Sequence, residues 1–211
     1  MEIWNVKAIE KSEKILHEIK KCGDFVLIGG WAVYLWTKAI KSIDVDIYTN
    51  FDDFYKLQAN LSKKGCYIQF NPTLKKFSTK IEEIDIDIYT PSQCNLIIPC
   101  RDVFKNKWFE VIENFKVIRA EPLLLLKLAA TKKRGMTLKG FKDRVDVLAL
   151  LNLDLDIKWL NQLFTKYAPK LKEELVKVVK ISSKEYEYTT KKKLNFKQIA
   201  DVRKKLLKKI K

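Results

Sequence analysis

Two short stretches constrain this chain more than anything else in it: Ser42-Ile43-Asp44-Val45-Asp46-Ile47-Tyr48 and Ile84-Asp85-Ile86-Asp87-Ile88-Tyr89. Both alternate with period two, the pattern of a β-strand, which puts Asp44 and Asp46 on one face and Asp85 and Asp87 on one face, with Ile and Val opposite. Aspartate is a poor strand former. Carboxylates paired on one face also repel, so they persist as anions only where cations, donors or water compensate them. The plain alternative, a solvent-facing polar side, would be served as well by threonine, serine or lysine. If the two strands are neighbours in one sheet, three or four carboxylates converge on one patch. Such a patch suits a hard cation such as Mg²⁺, and two such ions stabilise the attacking and leaving oxygens of an in-line displacement at phosphorus.

The segment upstream adds a second feature. Phe25-Val26-Leu27-Ile28 is a short apolar run that stops at Gly29-Gly30, and Trp31 to about Lys38 reads as a helix opening directly after it. A buried strand that ends in Gly-Gly and enters a helix leaves backbone N–H groups uncovered near a helix N-terminus, a cradle for phosphate. Helices are also predicted over Val6 to Lys21 and Phe51 to Lys63, with a turn at Lys64-Gly65 and two strands meeting near Asn71-Pro72. These elements predict an α+β protein whose first lobe, residues 1–118, is a mixed β-sheet flanked by helices. The remainder, residues 119–211, reads as a helical lobe. Glu121-Pro122 opens a helix that runs to Arg134 and stops at Gly135, and Phe141 to Leu151 forms the next. Helix then continues to Lys211, apart from a break around Ser182 to Thr190.

Taken together, Ile28-Gly29-Gly30, an interval of thirteen residues, and Asp44-Val45-Asp46-Ile47 resemble the signature of the nucleotidyltransferase superfamily related to DNA polymerase β. The resemblance implies an enzyme that transfers a nucleoside monophosphate from an NTP such as ATP to a hydroxyl, with Mg²⁺ (or Mn²⁺) as cofactor. It implies that Asp44 and Asp46 bind the metal, together with a third carboxylate that orients or deprotonates the acceptor. Asp87 and Asp85 are the candidates for that third position. Asp87 is favoured because Asp87-Ile88-Tyr89 repeats the setting of Asp46-Ile47-Tyr48. Gly29, Gly30, Lys41 and Ser42 are implied to hold the phosphates.

Further along, Leu124-Leu125-Leu126-Lys127-Leu128-Ala129-Ala130, Arg134 and Lys142-Asp143-Arg144-Val145-Asp146-Val147-Leu148 resemble the helical motifs of the AbiEii-type branch. That branch includes toxins of toxin–antitoxin pairs, some of which modify tRNA ends. The resemblance implies that Lys127 contacts the triphosphate, that Asp143 supports the site, and that an antitoxin protein is a possible partner. The plain alternative for Lys127 is a surface lysine on an apolar helix, and for Lys142, Asp143 and Asp146 it is local helix pairing, Lys142–Asp146 being an i,i+4 pair worth ~0.2–0.5 kcal/mol. One position departs from the branch. It carries Arg four residues before the first Asp, where this chain has Ile40, with Lys38 and Lys41 nearby.

Charge bears on the acceptor. The 211 residues carry a formal net charge of +16. From Lys158 to Lys211 there are 17 Lys/Arg and 5 Asp/Glu, so the last quarter alone holds +12. A basic lobe beside a carboxylate-bearing one fits a polyanion, and nucleic acid, here RNA, fits best; a solvated Lys-rich helical surface is the plain alternative. Cys22, Cys66, Cys94 and Cys100 show no metal-ligand spacing and His17 stands alone in the first helix, so no zinc site or histidine-based catalysis is expected. Trp31 and Trp36 lie in an apolar segment and are expected in the core. With no apolar run of membrane-spanning length, a cytoplasmic protein with no membrane partner is expected. The competing reading is a non-catalytic protein that keeps the fold and binds nucleotide or nucleic acid for regulation.

Overall fold

A computed structural model describes residues 3–210. In chain order the elements are α1 (Val6–Lys20), β1 (Val26–Ile28), α2 (Gly29–Thr37), β2 (Val45–Tyr48), α3 (Phe51–Ser62), β3 (Gln69–Asn71), β4 (Lys76–Ile81), β5 (Ile84–Tyr89), α4 (Cys100–Lys105), β6 (Phe109–Ile112), β7 (Phe115–Ile118), α5 (Ala120–Arg134), α6 (Leu138–Leu151), α7 (Ile157–Tyr167), α8 (Leu171–Ile181), α9 (Lys184–Thr190) and α10 (Phe196–Lys209). The strands form one mixed sheet in the order β3-β4-β5-β2-β1-β7-β6. The two alternating Asp segments are therefore direct neighbours: β2 runs parallel to β5, and β1 lies antiparallel on the other side of β2.

Burial explains this order. Val45, Ile47, Ile86 and Ile88 are all fully buried, so the apolar faces of β2 and β5 anchor the centre of the sheet. Tyr48 is buried too, and its hydroxyl donates to the Ile98 carbonyl at 2.6 Å, which satisfies the one polar atom of a core aromatic. Helix α1 starts where the Asn5 side chain accepts from the Lys7 N–H, and buries Ile9, Ile15, Leu16 and Ile19. Trp31 is buried, its indole N–H donating to Ser12 Oγ at 2.8 Å across α1 and α2, which makes it a core residue. The expected α+β architecture is present, and the sheet core is contiguous with the apolar faces of α5 and α6.

Three details differ from the sequence reading. Strand β2 begins at Val45, so Asp44 sits in the bend just before it and not within the strand. The hairpin β6–β7 was not anticipated. Its strands are only four residues long and its turn is Glu113-Asn114, both at positive φ, in place of the usual Asn-Gly signal. Finally, the expected break at Ser182 to Thr190 contains α9. The aromatic and threonine-rich sequence of α9 favours helix weakly. Tertiary anchors override that preference: Arg144 Nε donates to Glu185 Oε1 at 2.7 Å in a buried pair, and the Tyr186 hydroxyl donates to the Val179 carbonyl at 2.6 Å.

Candidate active site

The carboxylates meet at one mouth of the sheet. The parallel register of β2 and β5 sets Asp46 directly opposite Asp87, with Asp44 just before the strand. On its other side β2 pairs with β1 so that Ile28 stands opposite Asp46, and the chain then turns at Gly29. Gly29 has a φ of +67°, and a Cβ there would collide with the Asp46 carboxylate. At Gly30 a Cβ would lie 2.5 Å from Ser42 Oγ and 2.7 Å from Lys142 Nζ. The two glycines are needed for different reasons, then: the first for its backbone conformation and for Asp46, the second for space. Gly29→Ala is expected to displace Asp46 and lower stability by about 2 kcal/mol, combining left-handed strain with a clash. Thermal unfolding checks this; an unchanged midpoint would contradict the close approach.

A cleft of about 560 Å³ opens over these residues, and its far wall comes from α5 and α6. There Lys127 and Lys142, each less than a tenth exposed, both reach Asp146 Oδ2 at 2.8 Å. Asp143 is fully buried, with Lys127 Nζ 3.3 Å from one oxygen and Arg134 Nη1 2.7 Å from the other. The pair Lys142–Asp146 is therefore part of a buried network and not the exposed helix pair its spacing suggested. Asp146 Oδ1 is buried without a partner among the described residues, so this network is incompletely satisfied.

Electrostatics sharpen the picture. Burial pushes the Asp46 carboxyl up to about 6, with Asp87 and then Asp44 adding to the shift against the pull of Lys127 and Lys76. For Lys127, burial works against the charge, but Asp146 and Asp143 outweigh it and hold the ammonium well above its ordinary range. Burial lowers Lys142 below its ordinary range, and the neighbouring Lys127 charge adds to the shift against the pull of Asp146. The α5–α6 wall thus holds fixed positive charge facing the carboxylate mouth.

Of the candidates from sequence, Gly29, Gly30, Ser42, Asp44, Asp46, Asp85, Asp87, Lys127 and Asp143 all border this cleft. Asp85 lies at its rim, more than half exposed and 3.2 Å from Lys80. Lys41 turns away: its ammonium is 2.6 Å from Glu13 and lies over Tyr34, at a second cleft. His17 packs edge-on against Phe115, outside the site. Two residues that sequence reasoning missed are Lys76, whose ammonium contacts the Asp87 carboxylate, and Lys139, 3.6 Å from Asp44 Oδ2. Lys76 had no signal in the sequence, since only the β4–β5 pairing brings it there.

Among the described residues, no group of three or more His, Cys, Asp or Glu side chains is drawn close enough to hold a metal ion. The arrangement still fits a hard cation. Asp46 and Asp87 are in register, Asp46 is held up toward its neutral form by burial and by its neighbours' charge, and lysine ammoniums stand at Asp87 and Asp44. An all-oxygen donor set of this kind suits Mg²⁺ or Mn²⁺ and not zinc.

No protein-family model matches the chain, and no curated protein matches it in sequence. Solved structures do match. ANT(2″)-Ia, solved in complex with adenylyl-2″-tobramycin, superimposes with a TM-score of 0.53 at 12% identity, covering 74% of this chain and 97% of that one. JHP933 from Helicobacter pylori gives 0.50 at 17% identity, covering 98% and 94%. TM1012 from Thermotoga maritima gives 0.43 at 18% identity, covering 59% and 88%. The chain has the nucleotidyltransferase fold. No helix among the described residues is long and apolar enough to cross a membrane.

Proposed function

We propose that this chain is a nucleotidyltransferase that moves a nucleoside monophosphate from an NTP to a hydroxyl of RNA. The observation that carries the reading is Asp46 in register with Asp87 on parallel strands, with Asp44 at the strand mouth and the Gly29 backbone packed against Asp46. Mg²⁺ held by Asp44, Asp46 and Asp87 would supply charge neutralisation and polarisation at the α-phosphorus.

The chain's own residues do the rest. Gly29 and Gly30 let the triphosphate approach the backbone where any side chain would intrude. Lys127 presents a fixed cation to the developing phosphate charge, and Asp143 and Asp146 hold it in place. Asp87 orients the acceptor hydroxyl and takes its proton as the new O–P bond forms and pyrophosphate leaves. Asp85, exposed at the rim, has no such role. Positioning and charge neutralisation account for catalysis of this kind.

RNA is favoured as acceptor by the basic last quarter of the chain, which would attract a polyanion and repel a polycation such as an aminoglycoside. The AbiEii-type resemblance of α5 and α6 points the same way, and would make an antitoxin protein a further partner. A non-catalytic regulator would have no use for carboxylates crowded at such electrostatic cost. The acceptor is tested by incubating the protein with each α-³²P-labelled NTP, Mg²⁺, and separate pools of RNA, protein and aminoglycosides. Ribonuclease-sensitive label is the expected outcome. Label confined to protein or to a small molecule would overturn the choice of RNA.

A further inference from the structure

Separate from the carboxylate cleft, a second cleft of about 480 Å³ is walled by the end of α2, the segment after it, and the end of α9. Five lysines line it: Lys38 and Lys41 on one side, Lys191, Lys192 and Lys193 on the other, against a single carboxylate, Glu187. The first pair is held in place. Tyr34 carries Lys38 Nζ at 4.9 Å and Lys41 Nζ at 5.5 Å from its ring centroid, while Glu113 and Glu13 reach the same ammoniums at 2.5 and 2.6 Å. The facing trio makes no ion pair among the described residues and is exposed. Like charges gathered around a concavity raise the local potential and favour a polyanionic occupant.

The two clefts adjoin along one segment of chain. Lys41 lines the basic cleft, while Ser42, Ile43 and Asp44 line the carboxylate cleft. Three residues of extended chain span at most about 10 Å. A strand of phosphates lying among the lysines would therefore end within reach of Asp44. We infer that this lysine cleft is the track for the phosphodiester backbone of a single-stranded RNA acceptor, feeding its terminal hydroxyl to the carboxylate site. The inference rests on the transferase reading for its purpose, but not for its test. It also narrows the basic lobe to one place: the trio at the end of α9, in preference to the lysines of α10.

Recognition here is by charge, so it is insensitive to base sequence and sensitive to salt. For single strands the slope of log affinity against log salt is about −0.7 for each phosphate neutralised. Binding of a fluorescein-labelled, unstructured single-stranded RNA to the full chain is followed by anisotropy across a KCl series. The variant Lys191→Glu/Lys192→Glu/Lys193→Glu is expected to lose affinity at least tenfold and to flatten the slope by about 2. A matched control, Lys204→Glu/Lys205→Glu/Lys208→Glu on α10, is expected to change both far less. Binding of Mg·ATP to the first variant is expected to be unchanged, which separates an RNA track from a triphosphate site. An equal effect of both triple variants would overturn the inference, as would loss of Mg·ATP binding, or absence of RNA binding to the unaltered protein. Failed transfer by the unaltered protein, with its RNA binding to the lysine cleft intact, would sink the transferase reading and leave the cleft standing.

Discussion

Asp46→Asn is expected to lower nucleotide transfer on the order of 10³-fold and, without divalent cations, to make the protein more stable near neutral pH. The two effects have one cause. Burial, with Asp87 and Asp44 close by, pushes the Asp46 carboxyl in the folded chain to about 6, against about 3.9 for an unperturbed aspartate. The folded state therefore holds this proton more tightly than the unfolded state. The stability this provides is present below about pH 4 and is lost as pH rises through about 6, leaving the ionised carboxylate a cost of about 3 kcal/mol. Asparagine removes that charge. For a chain of this size the gain is a melting temperature higher by roughly 9 °C at about pH 7.5, shrinking to nothing near pH 4. Mg²⁺ is expected to raise the midpoint of the unaltered protein and to leave that of the variant nearly unmoved. A variant less stable at neutral pH, or a difference indifferent to pH, would contradict the account of the carboxylate mouth.

The second large effect is expected at Lys127. Its ammonium compensates two fully buried carboxylates, Asp143 and Asp146, and it is itself less than a tenth exposed. Removing one partner from a buried ionic network leaves uncompensated charge behind, which costs about 3–5 kcal/mol. Arg134 and Lys142 remain on the same carboxylates and soften the loss. Lys127→Met is therefore expected to destabilise by about 3 kcal/mol, a drop of roughly 10 °C in melting temperature, measured without nucleotide. Lys127→Met/Asp146→Asn is expected to recover part of this, because the stranded charge is gone. An unchanged midpoint in the single variant would mean that the network holds no charge in the folded protein. This case differs in kind from Asp46. At the sheet mouth the structure tolerates a charge it would be more stable without, whereas at α5–α6 the charges depend on one another.

Much of this arrangement was legible in the sequence, for identifiable reasons. The alternation around Asp46 and Asp85-Asp87 marked both strands, because strand period is local information, although it also carried Asp44 into a strand that begins one residue later. Gly29-Gly30 marked the turn because only glycine tolerates the conformation that Asp46 imposes on its neighbour. The choice between Asp85 and Asp87 was not a local matter. The β2–β5 register, which depends on how the apolar faces pack, sets Asp87 opposite Asp46 and leaves Asp85 at the rim beside Lys80. Lys76 and Lys139 were invisible for a similar reason, since each reaches its carboxylate through tertiary structure. Lys142 and Asp146 were visible as a pair, but their burial was not. Their helix is buried on nearly every side, including charged positions that amphipathic reasoning assigns to solvent. Lys41 was expected at the phosphates and faces the basic cleft instead, because Glu13 and Tyr34 hold it there.

The most direct test of the central claim compares label from α-³²P-ATP and γ-³²P-ATP, and likewise from the other NTPs, with total RNA as acceptor and Mg²⁺ present. The unaltered protein is run beside Asp44→Ala/Asp46→Ala. The carboxylate site predicts that label from the α position enters RNA, that label from the γ position leaves as pyrophosphate, and that the double variant transfers neither. Transfer of γ label, or undiminished α transfer by the double variant, would contradict it.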